Sequence, residues 1–296
     1  MTDARLTLGP LLFNWPAERY RDFYYRIADE APVDRVCLGE VVCSKRTPFV
    51  QDSLPSIIDR LESGGKEVVL STLALPTLDR EMKYTAGLAS SGRTLEINDV
   101  SQIALVRGRP FHVGPLLNVY NEATVEYLAA LGACAIALPP ELSRPSIAAI
   151  AAASRRATIE VWAFGRVPLA ISARCYHARV HNLTKDSCQF VCERDADGLT
   201  VETLDAQGFL AINGVQTLSH TYCNVIDDVV DLARTGVASF RLSPHSCDMV
   251  AVATTFRSVL AGKLGADEAM HQLSELKTGA PFSNGFVHGT AGAACV

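Results

Sequence analysis

The 296-residue sequence has no long apolar run. Its longest stretch without Asp, Glu, Lys or Arg, Ala206 to Ile226, is dotted with Gln, Asn, Thr, Ser and His. The more apolar Tyr127 to Pro140 is too short to cross a bilayer, so no transmembrane segment is expected. The opening residues Met1 to Arg5 lead into a short apolar run broken at Asn14, without the apolar core of a secretion signal; a cytoplasmic protein is expected. An excess of positive charge is also missing. Twenty-seven Lys and Arg against 32 Asp and Glu give a net charge of -5, which supplies no overall field for nucleic acid. There is no G-x-S-x-G elbow, no H-E-x-x-H, and neither G-x-G-x-x-G nor G-x-x-x-x-G-K-[ST]. These absences weigh against a serine hydrolase, a zinc peptidase and the usual nucleotide-binding folds. Internal repeats and low-complexity segments are lacking too.

Apolar residues make up 48% of the chain and charged ones 20%, which is ordinary globular usage. Short β-rich segments alternate with amphipathic ones, the pattern of parallel strands joined by crossover helices. Strands are expected at Arg5-Gly9, Asp34-Leu38, Glu67-Ser71, Thr94-Ile97, Phe111-Gly114, Cys134-Leu138 and Ile159-Ala163, with an eighth at Ala238-Leu242. Eight such units close an α/β TIM-like (β/α)8 barrel, expected here as one domain over residues 1-296. The first helix is marked by Asn14 as a cap, Pro16 in its opening turn, and Tyr20, Phe23, Tyr24 and Ile27 at helical spacing; a later apolar helix is expected over Asp248 to Leu260. Between the seventh and eighth units lies an insertion, residues 166-236, too long for an ordinary loop. It contains a hairpin-like pair, Gln189-Glu193 and Thr200-Asp205, around the turn-forming Asp195 to Gly198.

Nine cysteines are many for a chain from a reducing compartment, where disulfides are not expected. Within the insertion, Cys175, Cys188 and Cys192 form a C-x12-C-x3-C pattern. Three thiolates converging there, with a fourth, suit an iron-sulfur cluster, because each iron of a four-iron cube takes one terminal thiolate. Cys37, at the carboxyl end of the second strand, is the best candidate for the fourth, since barrel geometry brings strand ends to the face where the insertion starts. Spacing alone leaves Cys43 open, and it leaves a four-cysteine zinc site open as well, although C-x2-C knuckles are absent. Cys134, Cys223, Cys247 and Cys295 read as small buried hydrophobes.

At these residues the sequence resembles the U32 peptidase-like family. The likeness covers Leu8 to Trp15, the run Val33 to Arg46, the cysteine set and Phe282 to Gly289, almost the whole chain. The resemblance implies a [4Fe-4S] cluster held by Cys37, Cys175, Cys188 and Cys192, with Cys43 a non-ligand. It also implies a TIM-like barrel and a heterodimer with a UbiU-like member of the family, the pair hydroxylating a ubiquinone-precursor ring without dioxygen, with prephenate implicated as hydroxyl donor for some members. The peptidase label is a poor guide, because the family includes members acting on rings and RNA bases. Two alternatives stand beside this reading: a non-catalytic stabilising partner whose cluster is structural, and a U32-type peptidase.

In a barrel, polar residues at the strand ends point into the active face, which makes Glu40, Glu96, Asn98 and Asn118 candidates for binding substrate, with helix capping or a solvated loop as the plainer role. Alternation puts Glu96 and Asn98 on one side, while Asp99 suits a cap. Arg174, next to Cys175, is a candidate to offset cluster charge or bind a carboxylate. His177 and His181 are candidate hydrogen-bond donors near the metal, and Lys45-Arg46 reads most simply as a solvated turn.

Overall fold

The computed structural model describes residues 2-296. Seven strands come first: β1 (Arg5–Leu8), β2 (Arg35–Leu38), β3 (Glu67–Ser71), β4 (Leu95–Ile97), β5 (Phe111–Val113), β6 (Ala133–Ala137) and β7 (Thr158–Ile171). Then follow β8 (Leu199–Glu202), β9 (Gly208–Asn213), β10 (Gln216–Asn224), β11 (Ser239–Leu242) and β12 (Phe282–Ser283). β1 to β7 pair in order and in parallel, and β11 closes the circle by pairing in parallel with both β1 and β7. This is a closed eight-stranded parallel barrel surrounded by helices, an α/β TIM-barrel fold. Strands such as Val68-Val69-Leu70 are buried throughout because helices cover one face and the barrel interior the other.

The helices follow the expected periodicity. Ala17–Glu30 buries Tyr20, Tyr24 and Ile27, and Met249–Leu260 is capped by Asp248, whose carboxylate accepts from Val250 and Ala251 N–H at 3.0 and 3.1 Å. Asp99 caps the turn after β4 by accepting from Ser101 N–H at 2.9 Å. Asn14 does not cap. The first helix starts behind Pro16 with no side-chain cap, while Asn14 is buried and its amide nitrogen bonds to nothing.

Two differences concern the insertion. β7 is 14 residues long because it runs on past the barrel as the antiparallel partner of β10, from Phe164↔Asn224 to Ile171↔Gln216. It leaves the barrel at Gly165, with φ +109°, where a Cβ would stand 2.7 Å from Ser243 Cβ; only glycine fits. The hairpin pairs β8 with β9, Leu199↔Ile212 to Glu202↔Gly208, rather than Thr200-Asp205 with Gln189-Glu193. Gln189 and Phe190 have left-handed backbones, φ 49° and 53°, and Val191–Arg194 is a helical turn, so that segment cannot lie as a strand.

Inside the barrel, charges neutralise one another. Arg241 bridges Glu96 and Glu160, donating to the latter at 2.6 Å, and Arg35 lies 3.7 Å from Glu160. Burial alone would raise Glu160, but Arg241 and Arg35 outweigh it and hold its pKa at about 2. A folded pKa below the ordinary 4.5 contributes stability that is complete above pH 4.5 and is lost as pH falls toward 2. Glu160→Gln is expected to destabilise the protein by about 3–5 kcal/mol at pH 7, since it leaves Arg241 and Arg35 short of an anion. In denaturant unfolding across pH, the variant should also lose part of the wild-type decline between pH 4.5 and about 2.

Candidate metal centre

The loop after β2 is shaped by one carboxylate. Glu40 Oε1 accepts from both Val42 and Cys43 N–H at 2.8 Å, closing a turn that presents Cys43 away from the barrel interior and toward the insertion. From the insertion come Cys175, whose sulfur accepts from Ala178 N–H at 3.3 Å at the start of the short helix Tyr176–Val180, then Cys188, then Cys192 on the turn Val191–Arg194. Cys43, Cys175, Cys188 and Cys192 line one recess, which Arg46, Lys45 and Lys185 also border.

Cys37 is not there. It is fully buried in β2, its sulfur 3.6 Å from Glu96 Oε2 and 4.0 Å from Arg241 Nη2, among the barrel charges. Burial and the Glu96 charge hold its thiol well above the ordinary range. The expected meeting of Cys37 with the trio is not what the fold shows; Cys43 lines the recess in its place. The reason is direction: side chains alternate along β2, and position 37 points into the barrel, whereas the Glu40 turn carries position 43 to the rim.

Arg46 supplies the charge for this recess. It is 3% exposed, donates to the Leu12 carbonyl at 3.1 Å and to Asn213 Oδ1 at 2.6 Å, and faces the thiols. Burial pushes Cys43, Cys175 and Cys192 up, and the charge of Arg46 opposes that shift at each. Lys45 Nζ donates to the Lys185 and Asp186 carbonyls at 2.6 and 3.1 Å, tying the first loop to the insertion. The Lys45-Arg46 pair is thus no solvated turn; Arg46, and not Arg174, borders the recess, while Arg174 is exposed, its N–H donating to Ser172 Oγ. Arg46 was hidden in the sequence because nothing local distinguishes an inward arginine from a surface one.

The other candidates separate. Glu96 pairs with Arg241 and accepts from Ser71 Oγ at 2.9 Å, and Asn98 donates to the Thr72 carbonyl at 3.1 Å; both line a small, nearly filled cavity at the barrel mouth. Glu40 is a turn-former, and Asn118 is exposed at a left-handed turn. A larger cavity of about 530 Å³ opens beside the thiol recess, sharing Lys45 and Phe190 with it and lined also by Leu73, Arg80 and Tyr84. A second group of metal-ligand type, His177, His181 and Asp195, stands in the insertion with its ligand atoms within 4.8 Å of one another. Among the described residues no helix is long and apolar enough to cross a membrane.

The model of the family described as Peptidase family U32 matches residues 20–295. Among solved structures, the crystal structure of tryptophan synthase from M. tuberculosis in its aminoacrylate-bound form aligns over 90% of this chain and 91% of its own, at 10% identity and a TM-score of 0.31, a likeness too slight to carry a functional argument.

The placement of the thiols is open to a chemical check. Treated metal-free with a short bifunctional thiol reagent, Cys43 is expected to cross-link to Cys175, Cys188 or Cys192, while Cys37 stays unmodified until the protein unfolds. Peptide mass mapping reads both, and a cross-link from Cys37 to the trio would refute the arrangement.

Proposed function

The chain belongs to peptidase family U32, and from that premise we propose that it is the [4Fe-4S]-bearing subunit of an oxygen-independent hydroxylation system for ubiquinone biosynthesis, of the UbiV kind, working in the cytoplasm as a heterodimer with a UbiU-like protein. The observation that carries this reading is the single recess bordered by Cys43, Cys175, Cys188 and Cys192.

The donor set, four thiols with cations beside them, is of the kind that holds such a cluster. Tetrahedral zinc with bonds of about 2.3 Å to sulfur places its thiolates roughly 3.8 Å apart, whereas four thiolates capping different corners of a cube stand wider. Four cysteine sulfurs border the recess, one for each iron of such a cube. A cube capped by four thiolates is anionic, and Arg46, Lys45 and Lys185 border the recess to balance it. When bound, the cluster supplies one-electron chemistry, or rigidity alone; with all four irons capped it offers no vacant position.

The protein's own residues then divide the work. Glu40 and Asn213 shape the two arms that carry the thiols: Asn213 Nδ2 donates to the Cys192 carbonyl at 3.1 Å while its Oδ1 receives Arg46. The 530 Å³ cavity beside the recess, with Tyr84, Leu73 and Phe190 for an aromatic ring and Lys45 and Arg80 for a carboxylate such as that of prephenate, is where we place the ring chemistry in this chain. A second reading, in which the cluster only stiffens a non-catalytic partner, is favoured by the barrel mouth, which the Arg241–Glu96 pair fills. Peptidase chemistry has no support in the geometry: among the described residues no histidine ring nitrogen is hydrogen-bonded to a serine or cysteine side chain.

Purified anaerobically, the protein is expected to be brown, with about four irons and four sulfides per chain. Cys43→Ser should fall below one iron per chain while Cys37→Ser keeps its full content, and the reverse result would overturn the assignment. In hydroxylation assays of the purified pair, Cys43→Ser should lower turnover at least tenfold if the cluster carries electrons. Undiminished turnover in a stable pair would instead establish the structural role.

A further inference from the structure

Two imidazoles and a carboxylate of the insertion take no part in the thiol recess. His177 and His181 are one helical turn apart, on and just after Tyr176–Val180, with ring centroids 5.6 Å apart and planes at 26°. Asp195 follows the turn Val191–Arg194, and its carbonyl is held by Asn213 Nδ2 at 3.0 Å. The ligand atoms of the three, one from each side chain, lie within 4.8 Å of one another.

The hydrogen bonding of this trio does not close on itself. His177 is wholly buried between two acceptors, with Nδ1 3.3 Å from the Ile212 carbonyl and Nε2 3.0 Å from Asp195 Oδ2. A neutral imidazole carries one N–H. If that hydrogen serves Ile212, a lone pair on Nε2 faces the carboxylate. Although Asp195 is near, Nε2 of His177 makes no hydrogen bond, and Nε2 of His181 is likewise buried with no hydrogen-bond partner. Buried polar atoms in that state are uncommon and costly. A cation resolves the conflict: it takes the free lone pair of His177 and the Asp195 oxygen together, and the bond from Nδ1–H to a carbonyl is the outer contact that metal-bound histidines characteristically make.

We infer that His177, His181 and Asp195 form a second metal site, for one divalent transition-metal ion, which their nitrogen and carboxylate donors suit to zinc. Imidazole nitrogens bind zinc at about 2.0–2.1 Å and carboxylate oxygens at about 2.0–2.2 Å, and three protein ligands leave a fourth position for water. The ion would clasp the segment just after Cys175 to the segment just after Cys192, bracing both ends of the thiol-bearing stretch. The inference does not depend on what the thiols bind.

The test uses the full-length chain, exposed to Zn2+ or Co2+ after adventitious metal is removed. Wild type is expected to bind one equivalent beyond its iron, and Cys188→Ala should retain that equivalent. His181→Gln and Asp195→Asn should weaken it at least tenfold with iron content unchanged. Cobalt in the site should give weak visible bands without intense thiolate charge transfer. No bound equivalent, one kept equally by both variants, or one lost only with the cysteines would overturn the site. Should the variants fail to fold, the zinc-edge absorption spectrum of wild type decides: a nitrogen and oxygen shell near 2.0–2.1 Å supports the site, and a sulfur shell near 2.3 Å rejects it.

Discussion

A buried guanidinium holds the functional region together. Arg46 comes from the loop after β2, yet its donors reach the Leu12 carbonyl near β1 and Asn213 at the end of β9, and its charge faces the thiol of Cys192. Removing such a group from water costs several kcal/mol unless partners replace the lost hydration, and here two acceptors from distant parts of the chain replace part of it, while Nε has no hydrogen-bond partner. Glu40, 4.0 Å away, adds an opposite charge. The approach is so close that a Cβ at position 214 would collide with Arg46, and Gly214 has φ +68°, so glycine is required there on two grounds. Ordering the thiol-bearing arms and placing a cation beside their sulfurs are therefore one event.

The barrel sets this arrangement without hosting it. Its interior is occupied by Arg35, Glu96, Glu160 and Arg241, which satisfy one another and leave little room at the mouth where barrels of this fold usually bind substrate. The thiol recess lies instead at the rim. β7 makes that displacement by running beyond the barrel and pairing with β10, which sets the insertion above the carboxyl ends of β1 and β2. Gly165 is the point at which the strand changes from a barrel element into a support for the cysteine-bearing arm.

Much of this could be read from the sequence, and what could not has a physical reason. The eight barrel strands were legible as short β-rich segments recurring between amphipathic ones, although Arg35, Glu96, Glu160 and Arg241 interrupt four of them. The C-x12-C-x3-C trio was legible because its spacing is local. The choice between Cys37 and Cys43 was not, because it turns on which way a strand-end residue faces and on a Glu40 turn that only the fold reveals. Arg46 looked like a solvated cation for the same reason, and Asn14 looked like a cap when it is buried behind Pro16. The hairpin was misread because the left-handed residues Gln189 and Phe190 break a segment whose composition is strand-like. His177 and His181 stood out at helical spacing, but Asp195, their partner, is brought to them only when the insertion folds.

The central claim is that four sulfurs from two distant parts of the chain enclose one cluster at the barrel rim. Anomalous diffraction at the iron edge from anaerobically grown crystals tests it most directly. The account predicts a single compact iron peak bounded by Cys43, Cys175, Cys188 and Cys192, with Arg46 alongside. Iron bound through Cys37 within the barrel, or a lone zinc ion among the four thiols, would contradict it.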